Sequence, residues 1–278
     1  MDLLGRFDFT GDLPEVDFTF NLVEADLHRL NLDRSDSLSK LSMLLTANFA
    51  GDAPDNLSGE IRLLNSKLKR NGDEFDLFDC SISAFNIDSS NMGINLRTDY
   101  VDADIRGKYD LSTIIPDIKL AAADLFPSVV DAGVVGFSGK NNFGYEISFK
   151  NTDPINEFFN TGFMLSQGFN LQGWIEPGTI ISLAAGGDYA VYKNHSLENT
   201  EINCQLEDST MLFEISSDKL NLIDRLSLEQ LSVSSTAIAD SFNINIDWDN
   251  TGGQENKGTI TAGGFFSKPD SLHTRLDL

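Results

Sequence analysis

Cysteine, histidine and positive charge are all scarce in this chain of 278 residues. The two cysteines, Cys80 and Cys204, lie far apart, whereas a disulfide framework or a zinc site needs more of them or short spacings. They read as small apolar packing residues. The histidines, His28, His195 and His273, fall in no H-E-x-x-H or H-x-H pattern, so the sequence calls for no metal and no cofactor. No G-x-S-x-G elbow and no phosphate-cradling glycine loop occurs. Against 43 acidic residues stand only 20 basic ones, a formal net charge of −23 with a pI near 4.2. That balance speaks against nucleic acid and against an anionic membrane surface. No apolar run approaches the roughly 18 residues of a spanning helix. The opening Met1-Asp2-Leu3-Leu4-Gly5-Arg6 lacks the apolar core of a signal peptide. A chain that starts and stops inside strand-like text reads as a slice of something longer.

What is present is apolar residues, 41% of the chain with twenty Phe, enough for a sizeable core. Their spacing is two. Val16-Asp17-Phe18-Thr19-Phe20-Asn21-Leu22 places four apolar side chains on one face of a strand and three polar ones on the other. The pattern returns at Leu41–Phe49, with Leu44 off phase. It recurs at Phe7–Phe9, Leu57–Leu63, Met92–Leu96, Val101–Tyr109, Tyr145–Phe149, Phe169–Ile175, Ile202–Leu206, Met211–Ile215, Phe242–Trp248 and Ile260–Gly264. Gly, Asn and Asp clusters separate these segments, as in antiparallel meanders. The string Asp247-Trp248-Asp249-Asn250-Thr251-Gly252 looks like a calcium loop, but Gly258 stands where an EF-hand needs Glu. It reads as a hairpin turn. About fifteen strands are expected.

Several strands carry an apolar residue two before and two after a glycine, as at Gly59, Gly107 and Gly173. Such a glycine permits a bend, or leaves room for a ligand. Two helices are expected. The first is Ser112–Leu125, capped by Ser112, with Ile114, Ile118, Ala122 and Leu125 on one stripe. The second starts at Asp153-Pro154, with Asp153 at the cap and Pro154 in the first turn, uses Ile155, Phe158 and Phe159 as its oily side, and stops at Gly162. The Gly-rich stretch from Gly133 to Gly144 marks a division into segments 1–128 and 129–278.

Two helices cannot cover some fifteen apolar strand faces, and water contact costs about 25 cal/mol per Å². The sheet must cover itself as a sandwich, a barrel or a curled trough. A trough needs an apolar occupant.

The runs Gly5–Phe9, Val16–Leu22 and Asp26-Leu27-His28-Arg29-Leu30 resemble the strand and turn cadence of the TamB family of the AsmA-like superfamily. So does Ile105-Arg106-Gly107-Lys108-Tyr109-Asp110 running through Pro116 to Pro127-Ser128, and so does Phe149–Phe159. The resemblance implies an all-β fold, a long antiparallel, quasi-repetitive sheet curled into a taco-like groove with one or two short helices. It also implies a periplasmic segment of a protein anchored in the inner membrane by a helix outside this chain. Phospholipid or another acyl-chain lipid would be the cargo, moved without catalysis between the two membranes. A BamA-like outer-membrane barrel is the implied partner, in support of outer-membrane assembly. The candidate groove lining is Phe18, Phe20, Leu22, Met43, Leu45, Phe49, Ile61 and Leu63 in the first half. In the second half it is Tyr145, Ile147, Phe149, Leu171, Ile175, Phe242, Ile244 and Ile246. A different class, an envelope scaffold or adhesin, would use off-phase aromatics such as Phe85 and Trp174 to bind glycan.

Overall fold

The alternation resolves into sixteen strands and two short helices in the computed structural model, which describes residues 1–53, 55–131, 133, 136–176, 180–223, 226–250 and 256–267. The strands are β1 (Asp2–Asp8), β2 (Glu15–Asp26), β3 (Lys40–Ala50), β4 (Ser58–Arg70), β5 (Asp73–Asn86), β6 (Met92–Thr98), β7 (Val101–Lys108) and β8 (Asn142–Phe149). They continue as β9 (Phe163–Leu165), β10 (Asn170–Glu176), β11 (Ile180–Tyr192), β12 (His195–Glu207), β13 (Thr210–Ile223), β14 (Leu226–Ile238), β15 (Ser241–Asn250) and β16 (Asn256–Phe265). Helix α1 is Leu111–Leu125 and α2 is Asp153–Phe159. Hydrogen-bonded order follows chain order from β1 to β16, except that β9 pairs with the far part of β11 while β10 pairs with its near part. The pairings from β1 to β7 and from β9 to β16 are antiparallel, as expected for hairpin-connected strands, and the sheet is not closed. Among the described residues no helix is long and apolar enough to cross a membrane.

Contacts divide the chain into two units. Met1–Gly107 joins Ile147–Gly162, and Lys108–Glu146 joins Phe163–Leu278. Helix α1 therefore belongs with the later strands, α2 belongs with the earlier ones, and β8 contributes to both.

In the first unit the left-handed residues Glu24 (φ 45°) and Asn65 (φ 48°) lie where the registers of β2–β3 and β3–β4 shift. Such bulges add an unpaired residue, so the apolar phase slips and a further row follows, Ala25–Leu41–Leu68–Phe75. In the second unit Asn199 (φ 46°) and Gln230 (φ 51°) are left-handed where the apolar phase changes, although the strand registers run through both positions unshifted. Ile202, Cys204 and Leu206 give way to Leu197, and Leu231 and Val233 give way to Leu228. The row beyond is Leu165–Ala190–Leu197–Leu220–Leu228.

Both helix starts differ from expectation. Asp110, not Ser112, caps α1, accepting the Ser112 N–H at 3.0 Å. An ionised carboxylate so placed also suits the positive end of the helix dipole. The buried stripe is Asp117, Ala121 and Leu125, whereas Ile118 is 40% exposed, because Asp117 is drawn inward by polar partners. Thr152 holds the cap position of α2, and left-handed Asn160 ends it before Gly162 is reached. The calcium-like string runs through the β15–β16 hairpin; its Asp247 accepts from Thr259 and Asn245, while Thr251 and Gly252 lie outside the described residues. So does His273.

Candidate functional site

Cross-strand pairing turns the period-two pattern into rows, because residues directly opposite each other share a face. In the first unit one row runs Leu3–Phe20–Leu45–Leu63–Cys80–Thr98. Its neighbours are Gly5–Phe18–Ala47–Ile61–Ile82–Leu96–Ala103 and Phe7–Val16–Phe49–Gly59–Ala84–Ile94–Ile105, with the Leu22–Met43 pair beyond. All eight first-half candidates therefore lie on one face. The opposite face is polar and carries ion pairs such as Arg62–Asp79 (3.2 Å) and the two-pronged Arg97–Asp104 (2.8 Å).

The apolar face is only partly covered. Its fully buried apolar members are Ala47 and Ala84, both small, whereas Phe18, Phe20, Leu45, Ile61 and Leu63 are half-buried and Ile82 is 39% exposed. At the strand ends beyond the bulges α2 supplies cover: Phe158 and Phe159 approach Phe75 with ring centroids at 5.4 and 5.3 Å, and Tyr100 stacks at 5.2 Å.

The second unit repeats the arrangement. Its rows are Ile175–Ile181–Leu206–Met211–Ala237–Phe242–Gly264, Gly173–Leu183–Cys204–Phe213–Ser235–Ile244–Ala262 and Leu171–Ala185–Ile202–Ile215–Val233–Ile246–Ile260. These hold Leu171, Ile175, Phe242, Ile244 and Ile246 together on one face. Tyr145 lies across Gly173 and donates to the carbonyl of Ser182 at 3.0 Å. Ile147 and Phe149 share its side of β8 by alternation but fall to the first unit. Helix α1 lies against one end of these rows. Ile118, Ala121 and Asp124 enclose a cavity of about 30 Å³ with Ile175, Ile181 and Leu206, no more than one water molecule's space. Past α1, Ser128 donates through N–H and Oγ to Asp240 (2.8 Å each), and Phe126 meets Phe266 edge-on.

The space beside the strand glycines is filled from within. A Cβ at Gly173 would collide with the Tyr145 ring, and one at Gly59 would lie 2.5 Å from Phe49 Cα. Phe85 covers Gly93, Trp174 covers Gly144, Trp248 covers Gly258 and Phe242 covers Gly264, with an added Cβ 2.5 Å from Phe85 Cζ in the first case. An aromatic ring laid over a cross-strand glycine shields its backbone and pins the register. Gly59 and Gly173 thus serve packing rather than leaving ligand room, and the off-phase Phe85 and Trp174 lie over glycines by the same device.

Ionisable groups report on these surroundings. Burial pushes the Cys80 thiol up, assisted by Asp79 and Asp99, and burial also raises Cys204 and Tyr145. Under α1, burial pushes the Asp117 carboxyl up, but hydrogen bonds from Ser138 N–H (2.9 Å), Ser138 Oγ (2.7 Å) and Asn141 Nδ2 (2.7 Å) outweigh it, leaving it below the ordinary 3.8. A lowered folded-state value means stability that is present above pH ~4 and lost as pH falls through the lowered value. Asp117→Ala should therefore cost about 2–3 kcal/mol at neutral pH, by stranding Ser138 and Asn141. Urea midpoints at pH 7 and pH 3 should differ less in that variant than in the parent.

Among the described residues no cluster of His, Cys, Asp or Glu is arranged to hold a metal. What the two units share is an antiparallel sheet with one polar and one incompletely covered apolar face. No family model, curated protein or solved structure matches the chain.

Proposed function

We propose that this chain is a non-enzymatic lipid carrier whose apolar rows hold the acyl chains of phospholipid while head groups stay wet. The observation that carries the reading is the half-covered state of large side chains such as Phe20, Leu45, Leu63, Leu171 and Ile246. Full burial is worth about 1.5–3 kcal/mol for each such side chain. An acyl chain lying along the rows recovers part of that, at about 0.8 kcal/mol per buried CH₂. Binding is by area and has no pocket, so cargo slides. The acidic charge stays on the polar face and keeps an oily-lined object dispersed. By its resemblance in sequence, the chain is a periplasmic segment of an inner-membrane-anchored bridge that delivers lipid towards the outer membrane, with a BamA-like barrel as partner of the whole protein.

The native cysteines test this, since Cys80 and Cys204 each sit within an apolar row. After removal of co-purified lipid, a thiol-reactive probe should label both, and added phospholipid should slow both reactions several-fold. Unchanged labelling rates with lipid would sink the reading.

A further inference from the structure

The polar face of the second unit carries a feature that lipid carriage does not use. On the apolar face the row Gly187–Thr200–Ser217–Leu231 is followed by Ala190–Leu197–Leu220–Leu228, three positions along each strand rather than two. Two successive residues of every strand therefore turn to the polar face, Asp188-Tyr189, Glu198-Asn199, Asp218-Lys219 and Glu229-Gln230. Left-handed Asn199 and Gln230 make the step in β12 and β14. Buried hydroxyls hold it from beneath. Thr200 Oγ1 donates to Ser217 Oγ at 3.1 Å, and Ser217 Oγ donates to the Glu198 carbonyl at 2.7 Å.

Along this step lies an open groove of about 680 Å³, within the size range of small-molecule sites. Asn199, Asp218 and Gln230 form one wall, and Glu201, Ser216 and Ser232 form the other. Gly186, directly opposite Glu201, adds no side chain and leaves that end open. Asn199 Nδ2 donates to the Asp218 carboxylate at 2.7 Å. Among the described residues the side chains of Glu201, Ser216, Gln230 and Ser232 neither donate nor accept a hydrogen bond, so their capacity is open to a ligand. The lining selects that ligand. Two carboxylates and no Lys, Arg or His face the groove, which repels phosphates and carboxylates. Polar walls give an acyl chain nothing, and among the described residues no third His, Cys, Asp or Glu joins the two acids as a metal would need. Hydroxyls, amides and carboxylates together match a neutral molecule dense in hydroxyl groups. Tyr189, 39% exposed on the same face, offers a ring beside the groove for the C–H face of a sugar.

We infer that the groove across β11–β14 binds a neutral oligosaccharide. This goes beyond lipid carriage, because it uses the opposite face of the sheet and stands even if the apolar rows hold no cargo.

Saturation-transfer NMR titrations of the full chain with N,N′-diacetylchitobiose, cellotriose and maltotriose test it. At least one sugar should bind, with a dissociation constant of about 1 mM or tighter. Ser216→Val/Ser232→Val replaces two hydroxyls by side chains that suit an exposed strand, and should weaken that binding at least tenfold. Asn199→Gly keeps the left-handed backbone while removing the amide, so it should weaken binding several-fold without lowering the melting temperature. It keeps the test readable if the double variant misfolds. Thr19→Asp/Thr46→Asp, on the polar face of the first unit, should bind sugar as the parent does. A parent that binds none of the three sugars, or groove variants that bind as tightly as the parent, would overturn the inference. So would sugar binding that a chelator abolishes, since the groove would then be a metal site.

Discussion

Aspartate at both Phe20 and Leu45 is expected to empty the first unit's apolar face while leaving its sheet intact. The two residues are direct cross-strand partners in the middle of a row, between Leu3 and Leu63. Both are half-buried, so the new carboxylates can hydrate, and their mutual repulsion costs folding only on the order of 1 kcal/mol. For an acyl chain the change is larger. Losing about four CH₂ contacts at about 0.8 kcal/mol each removes roughly 3 kcal/mol, a weakening of about a hundredfold. Titration with a fluorescent-acyl phospholipid reads the affinity, and circular dichroism reads the fold. The matched control is Thr19→Asp/Thr46→Asp, a cross-strand pair one residue away on the polar face, which should bind as the parent does.

The second large effect concerns the sheet itself. Gly173→Val should lower the melting temperature of the second unit by about 10 °C. A side chain there collides with the Tyr145 ring and with the Ser182 carbonyl, and displaces the hydrogen bond between them. Overpacking costs about 1–3 kcal/mol and the lost bond about 1, and each kcal/mol is worth roughly 2–4 °C in a unit of this size. Gly136→Ala is the control, with open space around it, and should melt with the parent. Calorimetry distinguishes the two. Equal melting would mean that the Tyr145–Gly173 contact does not hold the register.

How far the fold is legible depends on phase. Strands such as β2 and β15 alternate cleanly along most of their length and stand out in the sequence. Strands β5, β11 and β14 do not. In β14 the slip at Gln230 splits Leu226–Ile238 into two short patterns of opposite phase. In β11 the run Leu183-Ala184-Ala185-Gly186-Gly187 has too little side-chain contrast to alternate. Bulges and phase changes are set by tertiary pairing across neighbouring strands, and the sequence marks them only weakly, by Asn, Gln or Glu in left-handed positions. That the candidate side chains share one face is legible for the same reason that β2 is. Further members of the rows, such as Ile82 and Leu183, join them only through registers that no single strand encodes. Helix α1 shows the opposite case. Its apolar stripe suggested Ile118 inward, but the hydrogen bonds offered to Asp117 by Ser138 and Asn141, both distant in sequence, turned the helix.

The most direct measurement of the central claim places a photo-crosslinking side chain at Phe20 and at Leu171, one on the apolar face of each unit, and at Thr19 and Gln172 on the polar faces. Protein irradiated in phospholipid suspension and analysed by intact-mass spectrometry should carry lipid adducts at Phe20 and Leu171 and almost none at Thr19 and Gln172. Lipid-free protein at the first two positions, or equal adducts at all four, would contradict the account.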